Sequence, residues 1–324
     1  MQASVIIPSY DRAETLEPTL SALAWQTLPA DRFEVILVDD GSTDRSVEIA
    51  RGAEVPYPLR LVQQANRGAG AARNRGTREA RADLFVFLDV DVVPSPQLLE
   101  EYLLAAARHP DALIVGRQQP WPEAEVTPLD RVTRAEWHRD LGPVPIPIEF
   151  YHVLSSNMAI GREHFRRLDG FDEGVGTGAH PATDDTDLGY RAQRLGLDLV
   201  YWPGALAYHN HPRTLAQRCG QARTIAYWTA KMYQRYPGLR GSIPIFRDVE
   251  PIAWGSDPPR LVARKLGKRL LGAGPVPGLL KTAVGLAVGR GVHPRLVRIL
   301  YGRLLGAYRV AGFRAGLGGK EGGQ

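Results

Sequence analysis

The chain has 324 residues, of which 44% are hydrophobic and 23% charged, with a net charge of +5 and a single cysteine. This composition excludes a disordered chain, and one cysteine excludes an internal disulfide. The length allows one large domain with an appendage, or two domains. The opening residues MQASVIIPSY contain no basic segment followed by an apolar run, so we expect no signal peptide and a cytoplasmic protein.

Strand and helix patterns alternate along the first 90 residues. The order is strand ASVIIPSY, helix RAETLEPTLSALAWQ, strand FEVILVDDGS, helix TDRSVEIAR, strand LRLVQQAN, helix GAARNRGTREA and strand LFVFLDVD. Repeated strand–helix units predict an α/β protein with a mostly parallel sheet and helices on both faces. In such sheets ligands bind at the carboxyl ends of the strands, which is where the polar residues cluster here.

The fourth predicted strand ends in two carboxylates, Asp89 and Asp91. Side chains at positions i and i+2 of an extended chain share a face, so the two acids repel and predict a positive charge beside them. The alternative is that they cap a helix beginning near Ser95 and Pro96. It is the weaker interpretation, because Ser95 itself suits the cap position and Pro96 the first turn.

Six motifs occur in a characteristic order: VIIPSYDR, VDDGSTD, NRGAGAARNRG, FLDVDVVP, SSNMAIGREHFRRLDGFDE and TDDTDLGYRAQRLG. In this order they resemble the family 2 glycosyltransferases, from about Val5 to about Arg213. The resemblance implies a GT-A (Rossmann-like) fold. It also implies an inverting transfer of sugar from a nucleotide-diphosphate sugar, most often a UDP-sugar, to a hydroxyl acceptor. The acceptor would be a saccharide, a lipid-linked glycan or another cell-envelope precursor.

The same resemblance implies a metal site. Asp89-Val90-Asp91 corresponds to the family's DxD motif, which holds Mg²⁺ or Mn²⁺ against the donor diphosphate. Asp91 would ligate the metal, and Asp89 would act through water or reach the ribose. A divalent cation there neutralises the charge that develops on the leaving diphosphate. His209, at the end of a later strand, resembles a third contact to metal or diphosphate, with His211 as its competitor.

The resemblance assigns donor binding to residues that follow the first three strands. They are Pro8, Tyr10 and Arg12 for the base pocket, Asp39 for the base, Asp40 near the ribose and Arg73 for the diphosphate. Aspartates leading into GSTD are alternatively turn and cap formers. Arg73 is alternatively an ordinary surface residue of a helix.

The acidic cluster TDDTDLG resembles the family's ED-x-D pattern. Asp184 takes the place of the glutamate, Asp185 that of the general base, and Asp187 a supporting position near a helix start. A carboxylate within reach of the acceptor hydroxyl can remove its proton. Acids are also favoured at helix N-termini for electrostatic reasons alone.

Two other functions stay open. GAGAAR after a strand is typical of NAD-binding dehydrogenases, although Arg73 stands where the third glycine belongs and PSYDR follows the first strand. The protein could also be a non-catalytic scaffold that binds a nucleotide sugar at the membrane.

Charge is distributed unevenly along the chain. Residues 260–324 hold 13 of the 40 Lys and Arg but only one of the 35 acids, so residues 1–259 have a net charge of −7. Segments such as RLVARKLGKRLLGAG resemble amphipathic helices that lie on an anionic membrane, or alternatively pack on the body with solvated arginines. No nucleic-acid motif accompanies the charge, and PVPGLLKTAVGLAVG is too short to span a bilayer. We therefore predict a catalytic domain over 1–258, with a donor half of about 1–115 and an acceptor half of about 116–258. A basic tail over 259–324 would make the protein peripheral on the inner face of the cell membrane.

Overall fold

The computed structural model describes residues 1–122, 129–130, 141–175, 183–209 and 214–318. These residues divide into two compact units. The first contains residues 1–122, 141–175 and 184–209, and the second contains residues 129–130, 183 and 214–318.

The first unit alternates strands and helices as predicted. Its strands are β1 Ala3–Ser9, β2 Phe33–Asp39, β3 Leu59–Gln63, β4 Leu84–Leu88, β5 Val92–Pro94, β6 Ala112–Pro120, β7 Ile146–Pro147, β8 Asn157–Gly161 and β9 Asp198–His209. Its helices are α1 Ala13–Ala24, α2 Ser46–Gly52, α3 Ala69–Glu79, α4 Leu98–Arg108, α5 Arg162–Arg167 and α6 Asp184–Arg194. All seven elements predicted before residue 91 are present.

The cap predicted at Ser95 is wrong. Helix α4 begins at Leu98, and its N-cap residue Gln97 makes no side-chain cap hydrogen bond. The chain first forms β5, which pairs with β9, and Ser95 then accepts a hydrogen bond from the Leu98 amide through its backbone carbonyl at 3.1 Å.

Within the described residues the strands form one sheet in the order β3-β2-β1-β4-β8-β6-β9-β5, with β7 also paired to β9. Strands β1 to β4 pair in parallel, so their carboxyl ends lie at one edge. β8 runs antiparallel to both β4 and β6, and β6 pairs with β9 in parallel. The sheet edge predicted to carry the polar residues therefore exists.

Close packing holds α3 against this sheet. β1 and β2 are buried along their whole length, as strands covered on both faces must be. A Cβ atom placed on Gly76 of α3 would lie 2.5 Å from Ile6 Cγ2 and 3.2 Å from Val38 Cγ2. Glycine at this position allows the helix backbone to approach β1 and β2, which fixes the residues at the helix start.

The second unit is helical. Its long helices are α7 Leu215–Arg235, α8 Pro259–Leu271, α9 Val276–Gly289 and α10 Pro294–Gly318. Thr214 and Gln217 form a capping box at the start of α7. A Cβ on Gly312 would lie 2.0 Å from the Arg223 carbonyl oxygen, so α10 packs on α7 with its backbone in close contact.

Among the described helices, none alone combines the length and hydropathy of a transmembrane span. Helices α8 and α9 have that length and hydropathy only when the two are taken together across the 85° bend between them. The domain boundary at 258/259 stays a prediction.

Candidate active site

The loops after β1 and β2 are tied together by Asp11. Its backbone is in the left-handed region, with φ of 48°, a conformation that aspartate tolerates better than most residues. Its carboxylate accepts hydrogen bonds from the backbone amides of Thr43 at 2.7 Å and Asp44 at 3.3 Å, and its own amide donates to Ser42 Oγ at 2.9 Å. The sequence places Asp11 among the polar residues that follow the first strand but assigns it no role, although an aspartate directly after a strand end is a turn signal.

The three residues predicted to line the base pocket follow the same strand. Pro8 is buried within β1, Tyr10 is half-buried just beyond its end, and Arg12 is the N-cap residue of α1. The Arg12 amide donates to Ser46 Oγ at 2.9 Å. The loops after β1 and β2 therefore form one hydrogen-bonded rim at the sheet edge.

Asp39 and Asp40 make different contacts. Asp39 is buried and accepts a hydrogen bond from the Ser42 amide at 3.3 Å. The Asp40 carboxylate accepts three bonds, from Gln64 Nε2 and the amides of Arg67 and Gly68, at 2.8 to 2.9 Å. Asp40 thus shapes the loop that leads into α3 through groups distant in sequence, while its ribose contact stays a prediction.

Arg73 is the centre of the site. Its Nη2 donates to Asp89 Oδ1 at 2.6 Å and its Nη1 donates to Asp184 Oδ2 at 3.1 Å. The guanidinium also lies over the Phe171 ring, with Cζ 5.3 Å from the ring centroid. Its side chain is 5% exposed, so the surface interpretation of Arg73 is wrong. One cation joins a carboxylate after β4 to a carboxylate at the start of α6.

The charges at this centre shift one another's pKa. Burial acts to lower the pKa of Arg73, but the charges of Asp89 and Asp184 outweigh it and raise that pKa. Burial raises the pKa of Asp184, an effect that Arg73 opposes and Asp89 reinforces. The positive charge that the sequence predicted beside the paired acids is, for Asp89, supplied by the chain itself.

Asp91 faces a different neighbour. Val92 lies opposite His209 in the β5–β9 pair, which places Asp91 Oδ1 3.8 Å from His209 Nε2. In the described part of the chain, no group of three or more Asp, Glu, His or Cys could hold a metal ion. A buried carboxylate and an imidazole fit a divalent cation whose other ligands are phosphate oxygens and water. The competitor His211 lies outside the described residues.

The acids of α6 occupy its first turn. Asp187 is buried, and its Oδ2 accepts a hydrogen bond from Arg191 Nε at 2.7 Å, one turn later in the helix. Asp185 is half-buried, and its Oδ1 accepts from the Thr186 amide at 2.8 Å. Asp187 therefore supports the helix, whereas Asp184 and Asp185 lie beside Arg73, whose pKa both carboxylates raise.

Asn74 fixes the ring beneath Arg73, and sequence reasoning missed it. Its Oδ1 accepts from the Phe171 amide at 2.9 Å, and its Nδ2 donates to the Phe171 carbonyl at 2.8 Å. Gly170 has φ of 67°, and a Cβ there would lie 2.5 Å from Asn74 Oδ1. The Asp169-Gly170 pair, a common turn dipeptide, was the available signal.

The architecture is that of a GT-A glycosyltransferase. The solved structure of the mannosyltransferase PcManGT from Pyrobaculum calidifontis, in complex with GDP-Man and Mn²⁺, matches 99% of this chain and 88% of its own. The TM-score is 0.62 at 21% sequence identity. S. aureus TarS 1-349 in complex with UDP gives a TM-score of 0.55 at 17% identity, over 99% of this chain and 92% of its own. The predicted fold is confirmed.

The sequence comparison gives the family. Residues 4–168 match the family model of glycosyl transferase family 2, and the chain belongs to that family. The validoxylamine A glucosyltransferase of Streptomyces hygroscopicus subsp. jinggangensis is 33% identical in an alignment of 227 residues that covers 61% of this chain and 52% of that protein. The chondroitin synthase of Escherichia coli is 27% identical in an alignment of 241 residues that covers 64% of this chain and 34% of that protein. The chain thus spans about half or less of these relatives.

Proposed function

We propose that this protein transfers a sugar from a nucleotide-diphosphate sugar to a hydroxyl acceptor, with a divalent metal and inversion at the anomeric carbon. Membership of family 2 supports the reaction class. The observation that carries the proposal is the Arg73 bridge between Asp89 and Asp184. It joins the acid implied in donor binding to the acids implied in acceptor activation.

The donor side of the proposal rests on the sheet edge. Two structural neighbours are described with GDP-Man and with UDP, which supports a nucleotide-sugar donor and makes UDP- and GDP-sugars the first to test. Asp91, with His209, would hold Mn²⁺ or Mg²⁺. When bound, the metal would neutralise the charge on the diphosphate leaving group. Asp39 would accept a hydrogen bond from the base.

The acceptor side requires one base. Asp185 would accept the acceptor hydroxyl's proton while the hydroxyl oxygen forms a bond to the anomeric carbon. The bond from that carbon to the diphosphate oxygen breaks, and its electron pair leaves with the nucleoside diphosphate. A single displacement inverts the configuration, and it needs no protein nucleophile. Arg73 would act as a positioning residue, because it holds Asp184 next to that base.

The test is nucleoside diphosphate release from a panel of UDP- and GDP-sugars, with and without Mn²⁺. We expect slow metal-dependent hydrolysis of one donor, and its loss in Asp91→Asn with the melting temperature retained. Asp83→Asn is the matched control, because Asp83 is an exposed carboxylate just before β4. Donor binding with neither hydrolysis nor transfer to any acceptor tried would favour the scaffold. Equal hydrolysis in Asp91→Asn would refute the metal assignment.

A further inference from the structure

Three consecutive helices of the second unit carry only positive charge. Between residues 259 and 318, which include α8, α9 and α10, the sequence has twelve Lys and Arg and no Asp or Glu. An ordinary solvated helix face mixes both signs. The segment therefore presents a field of one sign, which attracts an anionic partner.

Some of these cations serve the fold. Lys265 is buried, and its Nζ donates to Asp257 Oδ2 at 2.7 Å and to the Pro251 carbonyl at 2.9 Å. Lys268 Nζ and Arg264 Nη2 donate to the two oxygens of Asp248 at 2.6 and 2.8 Å. The three residues hold α8 to the segment before it. The number of Lys and Arg side chains available to a partner is therefore smaller than the number in the sequence.

The same helices expose large aliphatic side chains in pairs. Each pair shares one helix face by its spacing of three, four or seven residues. The side chains are between 44% and 73% exposed, and they are Leu266 and Leu270 on α8, Leu279 and Leu286 on α9, and Leu296 and Ile299 on α10. Exposed aliphatic residues at this density mark an interaction surface.

We propose that α8, α9 and α10 form a docking surface for an anionic lipid bilayer. Leucines would enter the boundary between headgroups and acyl chains, and Arg and Lys would contact lipid phosphates. Nucleic acid and acidic proteins would match the charge, but not six exposed aliphatic side chains on an acid-free segment. Trp254 is exposed in the same unit, and tryptophan favours the membrane interface. This surface is independent of the proposed sugar transfer.

The first experiment is sedimentation of the full chain with vesicles. The vesicles contain phosphatidylcholine alone, or with roughly 30% phosphatidylglycerol. We expect binding to the anionic vesicles at about 0.05 M salt and at least tenfold weaker binding at about 0.5 M, because salt screens the attraction. An absence of binding at low salt overturns the proposal. So does protein that stays on the vesicles after a salt and alkaline wash, because it would then span the bilayer.

The second experiment locates the surface. We expect Leu279→Ser/Leu286→Ser to lower the partition coefficient by at least about tenfold, because two leucine side chains that would enter the bilayer are lost. Arg295→Gln/Arg298→Gln should do the same, at about fivefold per charge. All four side chains are exposed, and thermal melts check that the variants fold.

Matched controls come from the first unit. Leu104→Ser/Leu195→Ser removes two exposed leucines, and Arg166→Gln/Arg167→Gln removes two exposed charges. Both should bind vesicles like the parent protein. Equal losses in controls and test variants would overturn the proposal. A dimer, seen by light scattering, that Leu279→Ser/Leu286→Ser dissociates without changing vesicle binding would instead assign the surface to a second copy of the chain.

Discussion

Arg73 provides the sharpest test of the site, because a single guanidinium holds two carboxylates from distant parts of the chain. Arg73→Met keeps the length of the side chain and removes the charge. Asp89 and Asp184 are then left without their shared cation. Because burial already raises the pKa of Asp184, and Arg73 opposes that rise, the variant should raise this pKa further.

The size of the effect follows from exposure. Removing one partner of a buried ion pair costs about 3–5 kcal/mol, because the other charge stays buried. The side chain of Asp89 is 32% exposed, so water screens it, whereas that of Asp184 is 11% exposed and bears most of the cost. We therefore expect a loss of about 3 kcal/mol. At about 2–4 °C per kcal/mol, the melting temperature should fall by roughly 6–12 °C.

The assay is urea and thermal unfolding at pH 7, with Arg75→Met as control. Arg75 lies on the same helix and pairs with Glu79 at 3.0 Å, but its side chain is 45% exposed, so its loss should cost less than about 1 kcal/mol. In Arg73→Met/Asp184→Asn, the combined loss should be about 1–3 kcal/mol smaller than the sum of the single losses. Equal shifts for Arg73→Met and Arg75→Met, or additive losses, would refute the bridge.

The pH dependence of the same variant has a defined sign. A carboxyl whose folded pKa is raised contributes stability at low pH and loses it as pH rises through that folded pKa. Removing Arg73 enlarges the rise for Asp184. The deficit of Arg73→Met should therefore be largest near neutral pH and should shrink as the pH falls toward 3.8, the ordinary value for aspartate.

Three further variants separate catalysis, electrostatics and packing. Asp185→Asn should keep donor affinity, measured by calorimetry, and lower the transfer rate by ~10² to 10⁴, more than Asp184→Asn does. Burial acts to raise the pKa of Asp248, but two cations of α8 outweigh it and lower that pKa. Asp248→Asn should therefore cost about 1–2 kcal/mol at pH 7, and progressively less below pH 3.8 in urea melts. Gly76→Ala should cost about 1–3 kcal/mol, because its Cβ would overlap β1, whereas Gly220→Ala, with open space around it, should stabilise by up to about 1 kcal/mol.

The order of elements and the location of the site could be predicted from the sequence. Strands β1, β2 and β4 read as continuous apolar runs because helices cover both faces of a parallel sheet. Parallel pairing then forces the polar residues that follow each strand to one edge. The loops after β1 and β2 do meet there, through Asp11 and its bonds to Thr43 and Asp44.

Long-range partners could not be predicted. Arg73 and Asp184 are 111 residues apart, and nothing in a helix beginning AGAARN shows that its arginine is buried. Composition likewise counted Lys265 and Lys268 as available charge, although both bind acids of the preceding segment. In each case tertiary packing determines the partner, and the local sequence pattern does not indicate it.

Asp89 and Asp91 have different neighbours, and this difference gives a physical reason for a divalent cation in the proposed reaction. Asp89 shares Arg73 with Asp184, while Asp91 lies beside His209. The single positive charge of Arg73 does not balance the carboxylates of Asp89, Asp91, Asp184 and Asp185, because these five groups sum to a negative charge even with Asp184 protonated. A diphosphate brought to this edge would be repelled, and strongly so because the groups are largely buried. A doubly charged cation beside Asp91 would cancel most or all of that negative charge, whereas one monovalent ion would leave a clearly negative sum.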